Sequence, residues 1–394
     1  MESPEPFRVR SLTMAVYLPN FMFAVGQGAA IPVIALLALD LGANPAVAGV
    51  TVALRGLGTM LFDAPAGILV ARIGERKSML VASVVLAGVA GAVGLRPSLP
   101  VYAGLVFLLG GCWSIWSLAR LSYATEASPV AHRGRVMSTM GGVTRMGQSV
   151  GPFLASVAVI PFGLAAPFVI QALLGVIATV TMALSKTVDP PSGRTAPGHT
   201  GLVEVFRQHR STFATAGVAV VCIQALRASR QAIIPLWGDQ IGMTASQISI
   251  IFGISSAMEV AIFYPMGMLM DRKGRKWASV PSMALLSVGV AAIPLTSSAG
   301  TLMAVGVLIG LANGMGAGLN MTLASDLSPP GARSEFLGLW RFITDAGMVG
   351  GPMLVAGITA VATLGASAVV MGVVGAVGTA VLWVAVPETR VPDP

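Results

Sequence analysis

Apolar stretches interrupted by short polar segments recur along the whole chain of 394 residues. A helix needs about 20 consecutive, mostly apolar residues to cross a bilayer, and uncharged runs such as 11–39 and 78–95 approach or exceed that length. Two longer runs, 146–185 and 277–325, each contain a break marked by proline and glycine and are interpreted as two spans. The pattern predicts an all-α membrane protein with twelve transmembrane helices, at residues 12–39, 45–71, 77–95, 100–126, 135–160, 163–185, 212–237, 245–270, 277–296, 300–325, 335–361 and 365–386.

The composition requires lipid around these helices. The chain is 55% hydrophobic and only 10% charged, so a water-soluble fold would lack the polar groups to cover its surface. The first apolar run is too long for the core of a signal peptide, so no cleaved leader is expected. Cys112 and Cys222 fall inside spans and are interpreted as small core residues, with no disulfide or metal role.

The formal net charge of +8 is explained by membrane topology. If the even-numbered loops are cytoplasmic, nearly all Lys and Arg residues outside the spans are cytoplasmic, and Arg96 is the exception. Because cytoplasmic loops are enriched in Lys and Arg, we expect a multi-pass protein of the cell (inner) membrane with both termini in the cytoplasm. The basic residues give no reason to expect nucleic acid as a partner.

The two halves of the sequence repeat each other at a constant shift of 200 residues. ATEASP at 124–129 aligns with ASDLSP at 324–329, and GQSVGP at 147–152 aligns with GMVGGP at 347–352. Such a shift is typical of homologous bundles in parallel orientation. We predict two pseudo-symmetric six-helix bundles, at 1–185 and 212–394, joined by a polar cytoplasmic linker at 186–211. The end of the linker, LVEVFRQHR, is expected to form a short amphipathic helix.

No catalytic motif is visible in the sequence. A Walker motif, a nucleotide-binding glycine loop after a strand and a nucleophile elbow are all absent. His132, His199 and His209 lack the spacing of metal ligands. The sequence therefore predicts a protein that is not an enzyme, has no cofactor or metal, and cannot draw energy from ATP that it hydrolyses itself.

A charged segment after the second span of each repeat resembles a known family. In GMLMDRKGRK, at 267–276, five of the ten residues are charged. Twelve spans in two repeats, together with this segment, closely resemble the major facilitator superfamily over nearly the whole chain. The matching positions are Gly267, Leu269, Asp271, Arg272, Gly274, Arg275 and Lys276, and the first-repeat copy keeps Gly67, Leu69, Arg72, Gly74 and Arg76 but has Ala71 and Glu75.

The resemblance implies alternating access by rocking of the two bundles, with a gating role for the charged segments. Asp271 is expected to face the N-terminus of a helix in the other half, where unpaired N–H groups favour an anion. Glu126 and Asp326, at the cytoplasmic ends of spans four and ten, are expected to pair with neighbouring arginines. In an alternative interpretation, these charges only anchor the topology.

A second resemblance concerns spans five and eleven. Glycines four apart give a flat face for close helix packing, and a following proline removes one backbone hydrogen bond. Such a motif resembles that of the drug:proton antiporter group, although Val106 replaces the fourth-span arginine of that group and the first span has no acid. The motif is equally compatible with two kinked helices that only pack tightly. Its residues are Gly147, Gly151, Pro152, Gly347, Gly351 and Pro352.

Six arginines and three acids fall within predicted spans. Charges inside a membrane are costly when they face lipid, so these residues are expected to face the bundle interior or water. The excess of positive charge favours a substrate with a carboxylate or phosphate group. The candidates for the substrate cavity are Arg55, Arg120, Arg145, Arg227, Arg230, Arg341 and Gln27, and the proton-coupling candidates are Glu259, Asp345 and Asp63.

Glu259 is the first proton-coupling candidate. It lies near the middle of span eight with no basic residue within four positions, so a partner must come from another helix. The resemblance places span eight beside span five, which makes Arg145 the expected partner. Asp345 can pair with Arg341 four residues earlier, and Asp63 can belong to the gating segment instead.

We therefore predict a secondary active transporter that exports a small amphiphilic compound, with an anionic one favoured, in exchange for protons. Two alternatives stay open: a symporter or uniporter for uptake of an organic anion, and a non-transport membrane enzyme or lipid-handling protein. We expect a monomer whose partners are a small-molecule substrate, protons and the lipid bilayer.

Overall fold

A computed structural model describes residues 12–129, 132–185, 202–316, 318–329 and 332–388, without the side chains of Leu202, Asp271 and Ser334. Across these ranges the chain is mostly helical, with short connections, and contains no strand. The long helices are α1 (Thr13–Asp40), α2 (Pro45–Ile73), α3 (Glu75–Gly94), α4 (Leu99–Glu126), α5 (Arg133–Phe162), α6 (Ala166–Leu184), α7 (Arg210–Gln240), α8 (Ala245–Lys273), α9 (Arg275–Leu295), α10 (Ala299–Met315, then Leu319–Leu327), α11 (Arg333–Val361) and α12 (Leu364–Val384).

The long helices lie where the spans are predicted, which confirms the all-α membrane fold. Within the described ranges, eleven of them are long and apolar enough to cross a membrane. The one that falls short is α5, because its 30 residues include Arg145 and Gln148. Its apolar face is nevertheless outward, with Val157 69% and Ile160 75% exposed, as expected of a helix in contact with lipid.

The two repeats share unusual local conformations. A π-helical turn opens both α1, at Thr13–Tyr17, and α7, at Phe213–Gly217. Gly74 separates α2 from α3 with φ of +85°, and Gly274 separates α8 from α9 with φ of +110°. Glycine takes such angles without steric cost. The shift of 200 residues therefore holds for backbone geometry as well as for sequence.

Contacts between Cα atoms group the described chain into two compact units. Unit 1 contains residues 12–31 and 58–185. Inside it, α1 packs on α5 and α6, and α3 packs on α4 and α6. The largest side chains that are fully buried there are Trp116, Tyr102 and Tyr123, all on α4.

Unit 2 contains residues 32–57 and the described residues from 202 to 388. Inside it, α7 packs on α11 and α12, α8 on α10, and α9 on α10 and α12. A short connector helix, Leu202–Gln208, precedes α7. Val205 of this helix is fully buried in a cluster with Phe213 and Phe336, whereas Val203 is 82% exposed. The connector helix is thus amphipathic, as expected, and docks on unit 2.

Unit 2 includes a segment, residues 32–57, that the sequence assigns to the first bundle. Small residues bring the start of α2 close to α11 within this unit. A Cβ atom added to Gly49 would lie 3.2 Å from Ala356 Cβ, and one added to Gly56 would lie 3.2 Å from the Met348 carbonyl oxygen. Packing therefore groups this segment differently from the repeat, and the division at 1–185, 186–211 and 212–394 stays a prediction.

Candidate functional site

Arg120 of α4 is the centre of a polar cluster in unit 1. It is only 9% exposed. Its Nη1 donates to Asn20 Oδ1 on α1 and, at 3.0 Å, to Thr144 Oγ1 on α5. Asn20 Nδ2 and Thr144 Oγ1 both donate to the Met140 carbonyl oxygen, at 3.0 and 2.8 Å. Hydrogen bonds of one buried cation therefore join three helices.

Aromatic rings form one side of the Arg120 cluster. Arg120 Cζ lies 5.0 Å from the centre of the Trp116 ring, an attractive position for a cation. Trp116 stacks on Phe23 at 4.3 Å, and the half-buried Trp113 ring follows at 6.4 Å from Trp116. Two buried donors one helical turn apart, Trp116 Nε1 and Arg120 Nε, have no hydrogen-bond partner in the described structure.

Other candidates of the sequence analysis have separate contacts. In unit 1, Ser114 Oγ of α4 donates to Asp63 Oδ1 of α2, and Gln148 Nε2 lies 3.4 Å from Gln27 Oε1. Arg145 is half-buried on α5. Arg55 is half-buried on the part of α2 that belongs to unit 2.

Glu259 lies in a second polar cluster, in unit 2. Asn313 of α10 donates to Glu259 Oε2, and Arg230 Nη2 of α7 lies 3.4 Å from the same oxygen. The side chains of Arg230 and Glu259 are 17% and 16% exposed. The arginine that approaches Glu259 from another helix of unit 2 is Arg230, which sequence analysis did not pair with it. A pairing with Arg145 stays a prediction.

The remaining charged candidates in unit 2 have nearby partners. Arg227 Nη2 donates to the Gly316 carbonyl oxygen at 2.9 Å, where α10 is interrupted. Arg341 Nε lies 3.8 Å from Asp345 Oδ2 on the same helix, with 40% and 10% of the side chains exposed. At that distance this is a loose ion pair of the kind the spacing predicts.

The two repeats carry opposite polar chemistry at equivalent positions. The residue 200 positions after Arg120 is Asn320, whose Oδ1 accepts from Trp340 Nε1 at 2.7 Å. The residue 200 positions before Glu259 is Thr59, whose hydroxyl donates to a backbone carbonyl at 3.3 Å. Unit 1 thus has a buried cation where unit 2 is neutral, and unit 2 has a half-buried acid where unit 1 is neutral.

The charged segment at 267–276 is almost entirely helical, although the predicted spans 245–270 and 277–296 leave residues 271–276 between them. Only Gly274 lies outside α8 and α9. Glu388 Oε1 and Oε2 accept from the backbone N–H groups of Arg275 and Lys276 at 2.8 and 3.0 Å, at the start of α9. Arg275 Nε also donates to Asp326 Oδ2 at 3.2 Å. Gly67, Gly267, Arg72 and Arg272 lie within α2 and α8, and the side chain of Asp271 is outside the described structure.

The first-repeat copy of this segment has different contacts. Arg76 Nη2 donates to the carbonyl oxygens of Met182 and Ser185, at 2.9 and 2.8 Å. Glu126 Oε2 is buried without a hydrogen-bond partner. The position equivalent to Arg275 in this repeat is Glu75, and the expected pairing of Glu126 with a neighbouring arginine stays a prediction.

The repeated glycine motif packs α5 on α1 and α11 on α7. A Cβ atom added to Gly151 would lie 2.5 Å from the Ala29 backbone nitrogen, and one added to Gly351 would lie 2.7 Å from the Ala225 carbonyl carbon. Ala29 and Ala225 belong to α1 and α7, so each glycine is a point of helix–helix contact. Gly147 and Gly347 make similar approaches one turn earlier, and Pro152 and Pro352 lie inside continuous helices.

Polar residues in apolar helices complete both clusters and were not selected from the sequence. Asn20, Thr144 and Asn313 each supply a hydrogen bond to a charged candidate. Their signal was a polar side chain inside a predicted span. Across the described ranges, no group of three His, Cys, Asp or Glu residues could hold a metal ion, and Cys112 and Cys222 are free thiols.

Comparison with known proteins places this architecture in a family. A sequence profile described as Major Facilitator Superfamily matches residues 16–229 and 216–394. A search of curated protein sequences gives no match.

Three solved transporters illustrate the structural similarity. A POT family transporter in complex with a thioalcohol-conjugated peptide has a TM-score of 0.81 and 11% identity, covering 95% of this chain and 96% of its own. A D-xylose-proton symporter has a TM-score of 0.74 and 15% identity, covering 96% and 98%. The nucleoside transporter NupG has a TM-score of 0.74 and 12% identity, covering 96% and 99%. At these identities the similarity concerns the fold alone.

Proposed function

Because this chain belongs to the major facilitator superfamily, we propose that it is a proton-coupled transporter of the cell membrane that exports a small amphiphilic compound. Its family and its structural neighbours indicate a transporter rather than an enzyme. The proposal of proton coupling rests on the position of Glu259. This residue is on a membrane-spanning helix, and its carboxylate lies between Arg230 and Asn313.

The contacts of Glu259 suit a group that gains and loses a proton. When Glu259 is ionised, its charge attracts Arg230, which lies 3.4 Å away. Protonation removes that attraction and leaves the hydrogen bond to Asn313, so Arg230 becomes available to another anion. Acids within a membrane are costly to retain, and they commonly belong to ion or proton pathways. Asp345 and Asp63 are further candidates, with Arg341 and Ser114 as their neighbours.

Export by alternating access is supported by the packing of the repeats. The glycine motifs resemble those of drug:proton antiporters and pack α5 on α1 and α11 on α7. Residues 32–57 belong to the first repeat but pack with helices of the second, which is the kind of contact that a rocking motion makes and breaks. The proposal includes a gating role for Asp271 and the Arg275–Asp326 pair, cytoplasmic termini and a monomeric state.

A second candidate function is uptake of an organic anion by symport or uniport. It is favoured by Arg120, a buried cation whose described hydrogen bonds go to neutral groups. In both candidate functions the protein binds a small molecule. Export exchanges the substrate for protons that move in the opposite direction, whereas symport moves both in the same direction.

Proton flux in reconstituted vesicles tests the proposal. The full chain is placed in proteoliposomes that contain a pH-sensitive dye, and compounds that raise its thermal stability are added under an imposed pH gradient. Export predicts that protons enter as the compound leaves, whereas movement of both in one direction favours uptake. Glu259→Gln should abolish the coupled proton flux but keep compound binding, and Glu204→Gln on the connector helix serves as the matched control. If Glu259→Gln accumulates substrate against the gradient as well as the parent, the proton-site assignment is wrong.

A further inference from the structure

We propose that Arg120 binds the anionic end of an aromatic substrate, and that Trp113 binds its ring. The inference rests on the proposed transport function and names the substrate class for it. It concerns unit 1 alone, and it assigns recognition of the anion to the first repeat and proton coupling to the second.

Arg120 brings a positive charge into a cluster whose other hydrogen-bonding side chains are neutral. Arg120 is 91% buried, as its 9% exposure implies, and its described hydrogen bonds reach Asn20 and Thr144, which are neutral. Burial of a cation without a paired anion is unfavourable. A substrate carboxylate or phosphate would provide the missing negative charge, and the planar guanidinium suits either group because it can donate two parallel hydrogen bonds.

Two buried donors of α4 are available to a ligand in the described structure. Arg120 Nε and Trp116 Nε1 are both buried and make no hydrogen bond in the described structure. Leaving a buried donor unsatisfied costs about 1–3 kcal/mol. Both donors lie on α4 one turn apart, so acceptor oxygens of a single ligand can approach them.

A row of aromatic rings lies beside the guanidinium of Arg120. Phe23 and Trp116 are fully buried and stack on each other, whereas Trp113 is half-buried. Trp113 therefore offers part of its surface to a second planar group, and aromatic pairs attract beyond the area they bury. An amphiphile with an aromatic ring next to an oxyanion would match the rings and the guanidinium together.

The equivalent position of the second repeat supports this assignment. Asn320 replaces Arg120 there, and Trp340 Nε1 donates directly to it at 2.7 Å. The indole donor of that cluster is satisfied within the protein, and no cation needs an anion. Of the two equivalent positions, only that of Arg120 has donors left for a ligand in the described structure.

Matched probes on the purified full chain test the inference without a proton gradient. Indole-3-acetate and phenyl phosphate carry an aromatic ring with a carboxylate or a phosphate. Indole-3-acetamide lacks the charge, and cyclohexylacetate lacks the aromatic ring. Affinities are measured in detergent by thermal stabilisation and by calorimetry. We expect at least one aromatic anion to bind about 10–100-fold more tightly than indole-3-acetamide, which corresponds to charge-assisted hydrogen bonds.

Substitutions separate the role of Arg120 from a structural one. Arg120→Gln should lose the preference for the anion but keep the weak binding of the amide. Arg120→Lys should keep only part of the preference for the anion. Trp113→Ala leaves the guanidinium in place. It should lower the affinity for aromatic anions toward the affinity for cyclohexylacetate. The control is Arg207→Gln on the connector helix, where the side chain is 76% exposed and pairs with Glu204.

Any one of three results would overturn the inference. They are equal affinity of the parent for the acid and the amide, an equal loss of affinity for the acid and the amide in Arg120→Gln, and no binding of any aromatic anion at millimolar concentration. If Arg120→Gln does not fold, the Trp113→Ala comparison and the acid–amide difference in the parent still decide. Anion binding without coupled proton flux would contradict the proposed function only. Coupled flux of a neutral or cationic compound, without anion binding, would contradict this inference only.

Discussion

Replacement of Gly351 by alanine should destabilise the packing of α11 on α7, whereas the same change at the neighbouring Gly350 should not. A Cβ atom at Gly351 would meet the carbonyl oxygen of Ala225 and lie 2.7 Å from its carbonyl carbon, while a Cβ atom at Gly350 has no atom within 4 Å. The obstacle is helix backbone, so a side-chain rotation cannot relieve it. The helices have to move apart.

The difference between the two variants isolates the cost of this overlap. Each replaces a glycine inside the same helix, so each gains the helix propensity of alanine, about 1 kcal/mol. Overpacking costs about 1–3 kcal/mol, and only Gly351→Ala incurs it. If each kcal/mol shifts the unfolding midpoint by about 2–4 °C, Gly351→Ala should unfold roughly 2–12 °C below Gly350→Ala. Gly350→Ala itself should equal or exceed the parent.

Thermal unfolding of the purified variants measures this difference. Tryptophan fluorescence reports the transition, and the monodisperse fraction on gel filtration after heating gives an independent midpoint. Gly151→Ala and Gly142→Ala repeat the comparison on α5, because a Cβ atom at Gly151 meets backbone of α1 whereas one at Gly142 meets nothing within 4 Å. Equal midpoints within either pair would refute the close approach of the helices.

Three further outcomes follow from single contacts. Phe23→Ala should lower the free energy of unfolding by about 3–5 kcal/mol, because the ring is only 2% exposed, and thermal or denaturant unfolding measures this. Glu388→Ala should cost about 1–2 kcal/mol, because the carboxylate caps two N–H groups of α9, while Glu204→Ala on the connector helix should change the midpoint little. Asn313→Asp should shift the pH dependence of proton flux to more alkaline pH, since a second carboxyl beside Glu259 favours a bound proton; an unchanged profile would argue against coupling through Glu259.

Hydropathy and spacing predicted the helices well. Each long helix lies where an apolar run indicates a span, and the shift of 200 residues recurs in the π-helical turns and in Gly74 and Gly274. These features depend on residues that are close together in the chain, so the local sequence is enough to predict them. The boundary within the charged segment was predicted less well. The predicted spans leave residues 271–276 outside the helices, whereas Gly274 alone separates the two helices.

The partners of the buried charges could not be read from the chain. Arg341 and Asp345 are four residues apart and follow helical spacing. Arg120 and Asn20 are 100 residues apart, and Glu259 and Asn313 are 54 apart. Such pairs depend on which helices are neighbours and on the rotation of each helix about its axis. Neither quantity leaves a signal in a uniformly apolar span.

The sequence by itself determined that this chain forms two repeated sets of membrane-spanning helices, because the length of an apolar run and the position of a glycine act locally. Tertiary structure alone decided that Arg120 is surrounded by neutral groups and aromatic rings, and that Glu259 lies between Arg230 and Asn313. The physical reason is that a charge inside a membrane takes its properties from whichever neighbours desolvate it and pair with it, and those neighbours come from other helices.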